Sequence, residues 1–207
     1  MGPDLGLTSI AESLGLNKAT AYRLLSTLER RGFLERSPSD RSYRLGARLF
    51  ELGAYYKNQI NVRHMALLFL AALVDDVHES SFLCIRDSDD ALCIERLEAE
   101  QGVKIFALRV GDRFPLHTGA APRVLLAGLD SHEVEGYIKR SGLPGFTSKT
   151  ITAREDLLKD IQTTLKQGYT LSIEDITPGV AAVGAPILGL QWKDYCIHQC
   201  QRSFIQV

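Results

Sequence analysis

The chain has 207 residues, 45% hydrophobic and 24% charged, with a net charge of −1. That is the profile of a soluble globular protein of one or two domains. Its longest apolar stretch, Met65 to Val74, falls short of the ~18 residues a membrane helix needs. The first residues lack the charged-then-apolar order of a signal peptide. The four cysteines, Cys84, Cys93, Cys196 and Cys200, form no Cys-x-x-Cys pair. Without an export signal they read as reduced thiols in a cytoplasmic protein.

The small net charge hides an asymmetry. Asn17 to Arg48 holds eight basic residues (Lys18, Arg23, Arg30, Arg31, Arg36, Arg41, Arg44 and Arg48) against three acids (Glu29, Glu35 and Asp40). That segment is +5 and the remainder −6. Such a layout is expected when one module touches phosphate and the other does not.

Taken in chain order, Thr8 to Leu14 reads as a short helix capped by Thr8 or Ser9, with Ile10, Ala11 and Leu14 on one face. Gly15-Leu16-Asn17 is a turn: glycine tolerates the positive φ of a tight helix stop, and asparagine caps the next helix. Lys18 to Arg31 is that helix, with Ala21, Leu24, Leu25 and Leu28 as its buried face. The spacing is that of a helix-turn-helix. Gly32 then ends the helix. Phe33 to Arg36 and Ser42 to Leu45 are strand-like and flank a turn-rich Ser37-Pro38-Ser39-Asp40-Arg41, which makes a two-stranded wing with a basic tip. The expected reader of the major groove is the start of the second helix. Its candidate DNA contacts are Asn17, Lys18, Thr20, Tyr22, Arg23, Ser26 and Thr27. Arg23 suits guanine or phosphate, and Arg41 and Arg44 of the wing suit phosphate or the minor groove. As written, the module has no helix before Thr8 to support it.

Ala47 to Ile60 reads as a linker helix with Leu49, Phe50, Leu52, Tyr55 and Tyr56 on an apolar side. Val62 to Val77 is apolar nearly all round, which predicts burial or an interface. Strand-like runs follow at Ser81–Arg86, Ala91–Leu97 and Val103–Arg109. Helices follow at Ala120–Leu129, Ser131–Arg140 and Ala153–Gln167, the last capped by Thr152. Strands resume at Gly168–Ser172 and Val180–Leu188. Strands, then helices, then strands indicate an α+β sensor-like domain with an antiparallel sheet.

Several of these segments, in this order, resemble the isocitrate lyase regulator (IclR) family of bacterial transcription factors. They are Leu16–Leu25, Tyr43-Arg44-Leu45-Gly46, Leu52-Gly53, Pro115-Leu116-His117-Thr118, Gly168-Tyr169, Glu174-Asp175, Pro178-Gly179-Val180 and Gly184-Ala185-Pro186-Ile187. The resemblance spans about Leu7 to Ile187. It implies a winged helix-turn-helix domain over 1–46, a linker helix over 47–61 and a GAF-like effector-binding domain over 62–188. It also implies a homodimer or tetramer on double-stranded operator DNA, answering to a small organic acid. The implied effector-binding residues are Thr118, Gly119, Ala120, Ala121, Ser172, Glu174, Asp175, Val180 and Ala182. Backbone amides at the start of the helix near Ala120 suit a carboxylate.

The chain departs from the family at Ala19, where serine is commoner, at the missing first helix, and over 189–207. That tail shows no clean period and reads as divergent or frame-shifted. Loss of a central strand and a helix there is expected to expose apolar surface and unpaired strand edges. A defective remnant of a regulator is therefore one alternative, and a DNA-binding protein that senses nothing is another. A small-molecule enzyme on the α+β domain is a third. Against it, His64, His78, His117, His132 and His198 are scattered and no Gly-x-Ser-x-Gly elbow occurs. His117 reads as structural. Cys196-x-His198-x-Cys200 lacks zinc-site spacing. No catalytic residue, cofactor, metal or membrane partner is expected.

Overall fold

The structure, a computed structural model, describes residues 5–59, 61–99, 108–187 and 195–203. The chain divides into two compact units, Met1–Ile60 and Asn61–Val207.

The first unit runs α1 (Leu7–Ser13), α2 (Lys18–Arg30), β1 (Leu34–Arg36), β2 (Tyr43–Leu45) and α3 (Ala47–Gln59). Helix α1 begins earlier than its sequence suggests. Gly6 is its N-cap and gives no side-chain cap, so Thr8 and Ser9 lie inside the first turn. Gly15 takes φ +63° in the turn, and the Asn17 side chain accepts the Thr20 amide at 2.8 Å to cap α2. The antiparallel wing pairs Leu34 with Leu45 and Arg36 with Tyr43. Leu5 adds a bridge to its outer edge, donating to the Tyr43 carbonyl at 3.3 Å and accepting from its amide at 2.9 Å.

Ala11, Ala21, Leu25 and Tyr43 are the buried hydrophobic residues of the described part of this unit. Leu24 and Leu28, expected on the buried face of α2, are 52% and 41% exposed. The seven-residue α1 covers only the Ala21–Leu25 side. Ile10, Leu14, Leu16, Leu24 and Leu28 are left lining an open apolar groove. Helix α3 is similarly bare, with Phe50 82% and Tyr55 70% exposed.

The second unit runs α4 (Asn61–Val77), β3 (Ser81–Asp87), β4 (Asp90–Leu97), β5 (Arg113–Pro115), α5 (Ala120–Ala127), α6 (Ser131–Ser141), α7 (Arg154–Gln167), β6 (Thr170–Ile173), β7 (Val180–Pro186) and β8 (Tyr195–Ser203). Its sheet has the order β5-β4-β3-β8-β7-β6, and every pairing is antiparallel. Helix α4 buries one stripe, Val62, Ala66 and Leu70, rather than its whole circumference; Leu68 and Phe69 face out. Helix α7 is capped at Ala153 without a side-chain bond, not by Thr152. The expected strand over Val103–Arg109 lies mostly outside the described residues, and Leu108 and Arg109 are not in a strand.

The expectation that the sheet loses a central strand is corrected. Strand β8, within the 189–207 tail, fills the slot between β3 and β7. A central slot offers backbone partners on both sides. Pairing there does not require the polar–apolar alternation of a one-sided strand, which is the signal the sequence lacks.

The core of this unit includes Phe82, Cys84 and Cys93 of the sheet, Leu116, Ala121 and Val124–Ala127 of α5, Val134 and Tyr137 of α6, and Leu157 and Ile161 of α7. Every residue of α5 is buried, Arg123 included. The helix lies so close to β7 that a Cβ on Gly184 would stand 2.7 Å from the Ala120 carbonyl carbon. No helix among the described residues is long and apolar enough to cross a membrane.

Candidate functional site

Helix α2 presents Lys18, Tyr22, Arg23 and Thr27 to solvent, with Thr20 and Ser26 half-buried beside them. Two candidate side chains, Asn17 at the N-cap and Thr27, already hold backbone. The Asn17 oxygen caps Thr20, and the Thr27 hydroxyl donates to the Arg23 carbonyl at 2.8 Å. Lys18, Tyr22 and Arg23 are thus the long exposed side chains of the leading face, with Arg23 supplying a planar multi-donor guanidinium.

The wing tip is built by Asp40. Its carboxylate accepts from the Ser42 amide at 3.0 Å and the Ser42 hydroxyl at 2.7 Å. Hydrogen bonds from Ser37 and Ser42 hold its pKa down at about 2. That turn leaves Arg41 exposed at φ +59°. Arg44 is differently placed. Its guanidinium donates twice to one Glu35 oxygen across the wing, at 2.8 and 3.1 Å. Both side chains are about half exposed, so this pair is weak and exchangeable for a phosphate. Arg36 lies over the Tyr43 ring at 5.6 Å and braces the wing from within.

The second unit holds an apolar cavity under the start of α5. Of the nine residues named as effector-binding, Gly119, Ala121, Ser172, Asp175, Val180 and Ala182 line it. Thr118, Ala120 and Glu174 do not. Thr118 is fully buried and its hydroxyl donates to the Pro115 carbonyl at 2.9 Å. Ala120 backs onto Gly184. Glu174, at φ +57°, accepts the Gly179 amide at 2.8 Å and shapes the loop rather than the cavity. Cys84, Ala91, Leu108 and Phe114 also line it, brought in by strand pairing and loop closure from distant positions, together with Pro122, Ile176 and Thr177. Only these last three carry a local signal in the sequence: Pro122 follows Ala121, and Ile176 and Thr177 lie between Glu174-Asp175 and Pro178-Gly179.

The helix start near Ala120 already holds a carboxylate, and it belongs to the chain. The Gly119 amide donates to Asp175 at 3.0 Å, the Ser172 hydroxyl donates to its other oxygen, and Arg123 lies 3.3 Å away. Gly119 is required there. It takes φ +70°, and a Cβ would meet Ile176 at 2.8 Å. Arg123 is only 4% exposed and is fully employed. It donates to the Gly119 carbonyl at 2.9 Å, to Asp160 of α7 at 2.6 Å and to the Leu171 carbonyl at 2.5 Å. Burial pushes the Asp160 carboxyl upward, against the pull of Arg123. Thr147 and Thr150 strap down the loop that carries Asp175. Their hydroxyls donate to the Glu174 carbonyl at 2.7 Å and the Asp175 carbonyl at 2.6 Å.

His117 has a structural task. Its amide donates to the Tyr137 hydroxyl oxygen at 3.0 Å, and its Nδ1 lies 2.6 Å from that oxygen. Nε2 lies 2.9 Å from the Pro144 carbonyl, which can only accept. The Nε2–H tautomer satisfies all three contacts, with the tyrosine donating to Nδ1. Burial lowers the His117 pKa and pushes that of Tyr137 up to about 12.

A helix-turn-helix with a basic wing, in one chain with an α+β unit built around a small cavity, defines a regulator that couples DNA binding to a ligand. Comparison with known proteins agrees. The "IclR helix-turn-helix domain" family matches residues 1–38, and the "Bacterial transcriptional regulator IclR C-terminal" family matches residues 54–195. The chain belongs to the IclR family of transcriptional regulators, with a DNA-binding N-terminal domain and a C-terminal effector-binding domain; it is not an enzyme. It is 35% identical over 185 residues to the HTH-type transcriptional regulator KipR of Bacillus subtilis, covering 89% of this chain and 73% of that one. It is 32% identical over 184 residues to XynR of Escherichia coli, with the same coverage of 89% and 73%. Among solved structures it resembles an IclR-type regulator from Alicyclobacillus acidocaldarius, with a TM-score of 0.84, 34% identity and coverage of 97% and 81%. It shares the fold of an IclR homologue from Microbacterium hydrocarbonoxydans complexed with 4-hydroxybenzoate, with a TM-score of 0.84, 24% identity and coverage of 99% and 84%.

Proposed function

We propose that the chain binds a double-stranded DNA operator through Asn17, Lys18, Thr20, Tyr22, Arg23, Ser26 and Thr27 of α2 and Arg41 and Arg44 of the wing. A small organic acid in the cavity beneath α5 then sets the affinity. The observation that carries this reading is the exposed Lys18–Tyr22–Arg23 face beside a basic wing tip. The working form is a homodimer or a tetramer of such dimers, and the bare apolar side of α3 offers surface for the contact. A protein that acts on operator DNA would work in the cytoplasm.

The carboxylate of Asp175 narrows the effector. A plain carboxylate placed against it meets like charge at short range. An acid that also carries a hydroxyl can turn that donor to Asp175 and its own charge away. The bound 4-hydroxybenzoate of the Microbacterium homologue has this composition.

Gel-shift titration against the promoter region of the protein's own gene tests the DNA surface. Arg23→Ala should lose roughly 1–3 kcal/mol of specific binding; unchanged affinity removes Arg23 from the interface. Calorimetry with hydroxylated and plain small acids tests the effector. Equal binding of both sets removes the role given to Asp175.

A further inference from the structure

Cys84 of β3 and Cys93 of β4 stand directly opposite each other, and both are buried thiols. The kind of pair they make follows from their backbone bonds. The Cys93 amide donates to the Asp112 carbonyl at 3.0 Å, and its carbonyl accepts from Gly111 at 2.8 Å. Both groups therefore point away from β3, so Cys84 and Cys93 form a non-hydrogen-bonded pair. Here the register shifts between Leu83 and Cys84, just before the pair; in a regular pair of this kind the Cα atoms lie about 4.5 Å apart with the side chains close on one face. That separation falls inside the roughly 4.4–6.8 Å range of disulfides. Cys84 is also opposite Cys196 of β8. Ladder alternation makes that the hydrogen-bonded, wider pair. Cys84 is among the residues lining the cavity, the side from which a small oxidant would reach the pair.

We propose that Cys84 and Cys93 are a redox-sensitive dithiol that closes to a cross-strand disulfide when peroxide enters the cavity. The Cys84 thiol loses its proton, and the thiolate attacks one oxygen of hydrogen peroxide. The O–O bond breaks, leaving Cys84 as a sulfenic acid and releasing hydroxide, which takes up the proton as water. The Cys93 sulfur then attacks the Cys84 sulfur; the S–O bond breaks and a second water leaves with the Cys93 proton. Two thiols are oxidised and one peroxide is reduced to two waters. Closure ends the Cys93 Sγ bond to the Glu95 carbonyl, now 3.5 Å long. The device rests on strand register and cavity geometry, independent of which effector binds.

The test is peptide mapping of the reduced, full-length protein after hydrogen peroxide, with remaining thiols alkylated before trypsin. Cys84 and Cys93 fall in separate tryptic peptides, residues 64–86 and 87–96. The expected product is the two joined with loss of two hydrogens, separated again by dithiothreitol. It should persist in a Cys196→Ser, Cys200→Ser double variant and vanish in Cys93→Ala. Recovery of both cysteines alkylated, of Cys84 oxidised alone, or of Cys84 joined to the Cys196 peptide overturns the proposal. The wild-type map decides by itself, whether or not a variant folds. None of these outcomes bears on effector binding, which calorimetry reads separately.

Discussion

The two units of this chain stand at opposite ends of the same physical scale. The second packs a continuous core between strands β3 and β4 and helices α5, α6 and α7, with α5 wholly enclosed. The first buries Ala11, Ala21, Leu25 and Tyr43 and leaves an apolar groove open on the helix-turn-helix. Hydrophobic area removed from water is the main term holding either together. The contrast teaches that the sensing unit is held from within, while the DNA-reading unit has apolar surface still to place.

Substitutions can sharpen that contrast. The largest effect should come from Arg123→Ala. It strands the buried Asp175 and the half-buried Asp160 carboxylates without their shared cation, and breaking such a buried pair costs about 3–5 kcal/mol. Urea unfolding of the second unit, followed by the near-ultraviolet signal, reads it; a loss below about 1 kcal/mol would show that the cluster is not a keystone. Gly184→Ala comes next. The added methyl meets the backbone of Ala120 and Ala121, and overpacking of that kind costs about 1–3 kcal/mol. The same melt checks it.

The third effect depends on pH. His117 is held neutral by burial, so its folded pKa lies below the ordinary histidine value of about 6.5. Between those two values the unfolded chain binds the extra proton, so stability rises with pH. The contribution is complete above about 6.5 and is lost as the pH falls from there through the folded pKa. Unfolding at a series of pH values should show this slope in wild type and a flatter profile in His117→Gln. Leu24→Ser should be the smallest. Leu24 is half exposed, and surface changes of this kind stay within about 0.5 kcal/mol. A large loss measured in the isolated chain would mean that something covers the groove.

Much of this was legible in the sequence, and the boundary of what was not has a physical cause. Asn17, Gly15 and Gly32 gave away the helix-turn-helix because caps and left-handed turns are local. The wing was legible for the same reason. Leu24 and Leu28 share the apolar face of α2, but helical spacing reports which residues share a face, not whether another surface covers it. In the second unit the family resemblance pointed to the segments holding Gly119, Ser172 and Asp175, while Glu174 shapes the loop beside the cavity. The Arg123–Asp160–Asp175 cluster did not show, since it joins α5, α7 and the loop after β6 across long stretches of chain. The anion site expected at the start of α5 was real in its chemistry, but its occupant, Asp175, is 56 residues away from Gly119. Strand β8 was illegible because backbone pairing, not side-chain pattern, places it.

The approach of Gly184 to α5 has a mechanical consequence. Strand against helix is usually cushioned by side chains that can change rotamer and absorb a small displacement. Here β7 and the first turn of α5 touch backbone to backbone, with no such spring between them. Val180 and Ala182 of the same strand form part of the cavity wall. A push on that wall is therefore carried to α5 as the movement of a rigid strut, and a helix buried along its whole length must carry its neighbours with it.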